Sequence, residues 1–239
     1  RDEALQKLIA LALANNRDLR VAAANIARAR AQYRIQRADL FPQVDAGGDI
    51  TGRTVSGGPD VTTASADISI TNYEIDLFGR IRSLTDAARE TYRATEADAQ
   101  AVRLALIGDI VNGWLQYAAD KSLLDLSAQT AQTAQKTVEL TQARLSGGIS
   151  PRTDLRQAQT ILATAQSDLA RYTTATAQDR NLLELLVGAP VDPALLPGAI
   201  ETAEPVIGAP SIAMSSEVLL RRPDVMSAEY DLRAANAQI

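Results

Sequence analysis

The sequence predicts a mainly α-helical chain with one β-hairpin, organised around a long antiparallel helical hairpin. Three observations carry this. There is no proline between Pro59 and Pro151, and between Gly79 and Gly147 the only glycines are Gly108 and Gly113, so little in that stretch can break a helix. Along it, small or apolar residues recur at three- and four-residue steps (Ile81, Leu84, Ala88, Thr91/Tyr92, Ala99, Val102, Leu106, Ile110, Trp114, Tyr117, Leu124, Ala128, Ala131, Leu140), which is a helical stripe. Between Val44 and Thr71, in contrast, residue character alternates with a period of two.

Taken in order, Asp2 to Ala14 forms a short amphipathic helix with Leu5, Leu8, Ile9, Ala12 and Leu13 on one face. Asn15-Asn16 ends it, and Asp18 is the expected cap of a second helix running to Leu40, where Phe41-Pro42 stops it. Two strands follow. Val44, Ala46, Gly48, Ile50 and Gly52 alternate with polar residues, as do Ala64, Ala66, Ile68 and Ile70, and Ser56-Gly57-Gly58-Pro59-Asp60 joins the two runs. One small apolar face, one polar face and a length of about ten residues match a transmembrane barrel strand. On composition alone they match a soluble surface hairpin equally well.

The long helix from about 79 to 145 would extend roughly 100 Å at 1.5 Å per residue, too far for any globular core. It must lie beside other helices. Ser146-Gly147-Gly148-Ile149-Ser150-Pro151 reverses the chain, with Pro151 as a first-turn residue of a return helix that meets no breaker before Gly188, about 36 residues or roughly 54 Å. The return helix therefore covers only half of its partner. The helix from Asp18 to Leu40, roughly 35 Å long, is the expected cover for the other half. Gly108 and Gly113, beside Trp114, are either a close-packing notch or a bend.

Composition bounds the function. The chain has 239 residues, 46% hydrophobic and 22% charged, with only 4% aromatics and abundant alanine, which suits close helix seams rather than a wide core. Histidine and cysteine are both absent, so imidazole chemistry, disulfides and thiolate metal sites are not available. A formal charge of -5 without a basic cluster argues against nucleic acid. No run of 18 apolar residues occurs, so no transmembrane helix is expected. The chain opens at Arg1 without an initiator methionine, and the expectation is that a leader has been removed. No phosphate-cradling loop, nucleophile motif or metal-ligand cluster is present, so no catalytic residue, cofactor or metal is assigned. Glu74 and Asp76 share a strand face, but without a partner group they read as structural.

An internal repeat extends the pattern. The run from Asp18 aligns without a gap to the run from Asp224: Ala22 with Ala228, Ile26 with Leu232, Ala29 with Ala235, Ala31 with Ala237 and Gln32 with Gln238. The period is about 206 residues. The expected organisation is N-terminal helices (1–41), hairpin (42–73), long helical hairpin (74–187), linker (188–216) and the start of a second repeat (217–239). The expectation is that the chain is a fragment, and that a missing second copy carries another strand pair and another long helix.

Several runs carry a resemblance: Tyr73-Glu74-Ile75-Asp76-Leu77-Phe78-Gly79-Arg80-Ile81-Arg82-Ser83, Phe41-Pro42-Gln43, Gly147-Gly148-Ile149-Ser150-Pro151-Arg152-Thr153-Asp154-Leu155 with Gln157-Ala158-Gln159, and Leu219-Leu220-Arg221-Arg222-Pro223-Asp224. In this order they resemble the outer membrane factor family, the TolC-like and in particular lipoprotein-type channels of tripartite efflux pumps. The resemblance implies a passive export duct, trimeric at full length. A twelve-stranded β-barrel in outer membrane lipid, four strands from each protomer, would continue into an α-barrel crossing the periplasm. It also implies a periplasmic adaptor protein and an inner membrane transporter as partners. The adaptor would dock on the tip, at Arg144, Leu145, Gly147, Gly148, Ile149, Ser150 and Asp154, with Gly148 and Ile149 at the contact and Asp154 capping or bonding nearby. On physical grounds alone that tip is a helix reversal. The linker would lie as a girdle around the middle of the duct. The family's lipidated cysteine and its second-repeat gate residues are not in this chain. A periplasmic adaptor or structural coiled-coil protein is the alternative, and it has little use for the strand pair.

Overall fold

The computed structural model describes residues 2–53, 56–57, 60–71, 73–202 and 216–238. In chain order these form α1 (Glu3–Asn15), α2 (Arg17–Ala38), β1 (Gln43–Arg53), β2 (Val61–Thr71), α3 (Arg80–Ser146), α4 (Arg152–Val187) and α5 (Pro223–Ala237), with short 3-10 turns at Pro193–Leu195, Ile200–Thr202 and Ser216–Arg221. The chain is mainly α with one β-hairpin, as its sequence predicts. α3 is a single helix of 67 residues, about 100 Å long. Contacts divide the chain into one unit of 1–20 with 102–214 and another of 21–101 with 215–239, so α2 and α3 each pass from one unit into the other.

In the first unit the core lies where α1, α3 and α4 meet. Leu5, Leu8 and Ala12 of α1 close over Leu106, Ile110 and Trp114 of α3 and Leu183 and Val187 of α4. Gly113 is a notch in this core: a Cβ there would lie 3.1 Å from Leu183 Cδ2. Gly108 faces open space, and α3 runs unbroken through both glycines. The Trp114 indole N–H donates to Leu195 O at 3.2 Å, tying the start of the linker to the core. Toward the tip the seam narrows to alanines, Ala131 and Ala134 of α3 against Ala165 of α4, flanked by Leu162 and Leu169. Side chains this small let the helix axes approach closely.

The junction of α1, α2 and α4 rests on Asn16. Its backbone N–H caps α1 by donating to Ala12 O at 2.8 Å. Its side-chain Oδ1 accepts the Leu19 N–H at 3.0 Å, and its Nδ2 donates to Leu186 O at 2.7 Å. Asn16, and not Asp18, is therefore the cap of α2. It precedes the first helical residue, where its oxygen reaches an amide one turn ahead, whereas Asp18 already lies within the first turn and contributes only charge. α4 ends against the same point. Gly188 takes a left-handed φ of +74°, and a Cβ there would lie 2.8 Å from Asn15 O.

In the second unit α2 lies along the first part of α3. Thr85 Oγ1 reaches Gln36 O at 3.4 Å, and Tyr33 stacks on Tyr92 with ring centroids 6.4 Å apart. Ala87, Ala94 and Ala97 are buried on α3, together with Glu90, whose Oε1 accepts from Arg89 and Arg93. The predicted stripe is right at Ile81, Leu106, Ile110, Trp114 and Ala131, but Thr91, Ala128 and Leu140 point to solvent. A stripe stepped at threes and fours drifts around the helix over sixty residues, and which face is covered at each level is set by the helix packed against it there.

β1 and β2 pair antiparallel from Gln43 with Thr71 to Arg53 with Val61. Val44 stands opposite Ile70, Ala46 opposite Ile68, Gly48 opposite Ala66 and Ile50 opposite Ala64, so the apolar residues of both strands share one face. On the other face Gly47 makes room for the Asp67 carboxylate, whose Oδ1 would lie 2.7 Å from an added Cβ, and Thr71 hydrogen-bonds Asp45. β2 begins at Val61, two residues earlier than the alternation beginning at Thr63 predicts. α5 starts at Pro223, the counterpart of Arg17, as the repeat alignment requires.

Asn16→Ala should cost about 2 kcal/mol, because it removes a cap and also leaves a covered carbonyl without its donor. Chemical denaturation of the purified chain measures this, and the surface change Arg20→Ala should leave the midpoint in place.

Candidate functional site

The tip joining α3 and α4 is built by backbone hydrogen bonds. Ile149 N–H donates to Arg144 O at 2.9 Å and Gly148 N–H to Leu145 O at 3.0 Å, with Gly148 at φ +73°. This is the Schellman arrangement, in which a glycine in the left-handed region lets the chain turn back over the last helical carbonyls. Ser146 Oγ accepts no part of the turn and donates back along α3 to Gln142 O at 2.8 Å. Pro151 is the cap residue of α4 and not its first-turn residue; the helix starts one residue later, at Arg152. No side chain caps α4, so Asp154 acts there only by its charge in the first turn, near amides that have no intrahelical partner. The expectation that it caps is corrected: one turn into the helix, its carboxylate already stands beyond the cap position.

The surface of the tip is small and mixed. Ile149 is 74% exposed beside the bare backbone of Gly147 and Gly148. Arg144 and Asp154 are exposed, Leu145 and Ser150 half-buried, and Leu155 buried beneath. All seven residues singled out from the sequence thus lie on one helix reversal, with an apolar side chain and two glycines at its crest and charges on its flanks.

A second constellation lies where the strands lead into α3. Arg80 grips Glu74 with two hydrogen bonds, Nε to Oε1 at 3.3 Å and Nη2 to Oε2 at 2.5 Å. Asp76 Oδ2 accepts the Arg82 N–H at 3.1 Å, which makes it a cap for the start of α3. Its side chain is only 10% exposed. Desolvation pulls the carboxyl upward, but hydrogen bonds from the amides of Arg82 and Ile81, with the Arg82 charge, outweigh it and hold the carboxyl below the usual aspartate range. Gly79 enters the helix at φ +80°. Around this junction Phe41, Tyr73, Ile75, Leu77 and Phe78 are all more than half exposed, Phe78 at 99%. Glu74 and Asp76 do not share a strand face as expected, because β2 ends at Thr71 and both lie beyond it, where they pair with Arg80 and Arg82 at the start of α3.

The linker places Glu201 on Ser122 of α3, Ser122 Oγ donating to Glu201 Oε2 at 2.8 Å. Most of the expected girdle, residues 203–215, lies outside the described residues. Among the described residues no group of carboxylates is arranged to hold a metal ion, and no helix is long and apolar enough to cross a membrane.

A long helical hairpin with a Schellman tip, preceded in the chain by a pair of eleven-residue strands, is the layout of the outer membrane factor class that the sequence motifs resemble. The chain belongs to the outer membrane efflux protein family, whose model matches residues 8–189. It is 40% identical over its whole length to the probable efflux pump outer membrane protein TtgC of Pseudomonas putida, and 32% identical to the cation efflux system protein CusC of Escherichia coli. The chain spans about half the length of these curated relatives, 50% and 52%. Among solved structures it resembles a membrane protein from Pseudomonas aeruginosa with a TM-score of 0.85 at 33% identity, covering 99% of this chain and 56% of that one. A structure of CusC gives 0.81 at 33% identity, with coverage of 99% and 55%.

Gly148→Ala should cost about 1 kcal/mol through its left-handed backbone alone, since an added Cβ meets nothing within 4 Å. Thermal unfolding followed by circular dichroism reads the shift, and Gly108→Ala, in open helical surroundings, should move it the other way.

Proposed function

We propose that the chain forms part of the wall of an outer membrane efflux channel, a passive duct that does no chemistry and carries no cofactor. β1 and β2 supply strands of a β-barrel in outer membrane lipid, and α2 to α4 supply staves of an α-barrel in the periplasm. At full length the channel is a homotrimer. A periplasmic adaptor docks on the tip through Gly147, Gly148 and Ile149, with Arg144, Leu145, Ser150 and Asp154 on its flanks, and an inner membrane transporter provides the energy. The segments 1–41, 42–73, 74–187, 188–216 and 217–239 act as first-repeat helices, barrel strands, long hairpin, girdle and the start of the second repeat.

The observation that carries this reading is the bare apolar face of the hairpin. Val44, Ile50, Ile68 and Ile70 are 64 to 80% exposed, and β1 is exposed along its whole length. Two isolated strands are marginal in water, so a face of β-branched residues needs lipid on one side and neighbouring strands at its edges. Strands of eleven residues have the length of a tilted barrel strand. Exposed Leu104, Leu126, Leu140, Ile161 and Leu185 on α3 and α4 ask for neighbouring staves in the same way. The polar strand face, with Asp45, Asp49 and Asp67, then faces a wet lumen. Alanine seams allow adjacent helices to slide with little repacking, so opening is a tilt or untwisting at the tip end. Relatives are named for toluene, solvents, antibiotics and cations; the shared fold sets a route, not a cargo.

Two experiments test this. Replacing Gly147 and Gly148 with bulky residues should lower adaptor co-purification and drug resistance several-fold while trimers persist on native gels; unchanged efflux removes the tip assignment. Ile68→Lys puts a charge on the lipid face, worth about 2–4 kcal/mol at the bilayer midplane. It should deplete the protein from outer membrane fractions, whereas Asp67→Asn on the opposite face should not.

A further inference from the structure

Beyond the Trp114 and Leu183 core, α3 and α4 continue as a pair toward the tip, and two carboxyl groups meet across their seam. Asp120 belongs to α3 and Asp179 to α4. Asp179 Oδ2 is shut off from water and no donor reaches it, while the Asp120 carboxyl stands within hydrogen-bonding reach. Asp120 Oδ2 already accepts from Gln116 Nε2 at 3.0 Å. The nearby charges are committed elsewhere. Lys121 is held by Asp125 at 2.5 Å, Arg180 by Glu184 at 3.1 Å, and Glu201 of the linker rests on Ser122. The charge acting on Asp179 is that of Asp120.

Two carboxylates in this position repel each other, and a covered oxygen facing only another acceptor has no hydrogen bond. One proton between them removes both costs, turning a repulsive contact into a short O–H to O bond. We propose that Asp120 and Asp179 share a single proton and form an acid-operated clasp across the α3–α4 seam, closed when the proton is held and loosened when it leaves. The proposal does not rest on the duct reading; it concerns two helices of this chain alone.

The direction of the response follows. Burial first, and then the Asp120 partner, push the Asp179 carboxyl up to about 6. A carboxyl that binds its proton more tightly in the folded state stabilises the fold fully below the ordinary aspartate range, and the contribution is lost as pH rises through about 6. The seam beyond Trp114 is then tighter at pH 5 than at pH 7.5.

The chain has no cysteine, so cysteines placed at the exposed Gln132 of α3 and Ser167 of α4 take spin labels without background. In the full chain extracted from membranes, the distance distribution between the labels should be narrow at pH 5 and broaden at pH 7.5. Infrared difference spectra should show a protonated carboxyl band lost near pH 6. In Asp179→Asn the amide donates to Asp120 at every pH, so the distribution should stay narrow and the band should vanish; Asp120→Asn gives the same result by the opposite donor and serves if the first variant does not fold. An unchanged distribution in the parent, or broadening that survives in both variants, overturns the clasp. So does a response that follows magnesium or EDTA at constant pH, since it would mean that the carboxylates hold a cation instead.

Discussion

The arrangement depends on a helix of 67 residues that cannot shield itself. A rod of that length exposes its seam from end to end, and no other helix among the described residues is long enough to cover it. In the first unit α1 and α4 cover one stretch, and in the second α2 lies along another. Where α1, α4 and the first turn of α2 meet, the Asn16 side chain gives a hydrogen bond to the last turn of α4 and accepts one from the first turn of α2. Helix ends are the costly places in such a stack, because each leaves backbone groups without partners. Asn16 satisfies one such group at each of the two ends, and the left-handed Gly188 lets α4 stop against Asn15 without a collision.

The same economy governs the seam. Where the axes must approach, the residues are Ala87, Ala94, Ala131, Ala134 and Ala165, and most of the large buried side chains gather in the cluster around Trp114. A helix pair joined by so thin a seam as that of α3 and α4 has little interior, so its stability is spread along its length. One wide layer near Trp114 fixes register, and the thin layers toward the tip contribute contact without bulk. The carboxyl pair of Asp120 and Asp179 sits where the wide layer gives way to the thin one, the place where a local repulsion has least packing to oppose it.

The hairpin follows a different solvent rule. Its two faces are cleanly sorted by residue type, yet both are exposed. A core-forming sheet would bury one of them. Sorting without burial means that the burying medium is outside this chain, which agrees with membership of an outer membrane efflux family and with the match to channel structures over nearly the whole chain.

Much of this was legible in the residues. The 3.6-residue stripe and the scarcity of breakers determine the long helix, the glycine pair before Pro151 determines the reversal, and strict alternation determines the strand pair and its facing register, since a shift of one residue would turn every Ile to the other side. These are local properties, set by backbone sterics and by periodicity. Which residue caps α2, which alanines lie in the seam, and that Asp120 meets Asp179 were decided by the fold. Asn16 and Leu186, or Asp120 and Asp179, are distant in sequence, and only the antiparallel return of α4 along α3 brings them to the same level. A pattern read along one helix says which face is covered, but not what stands opposite.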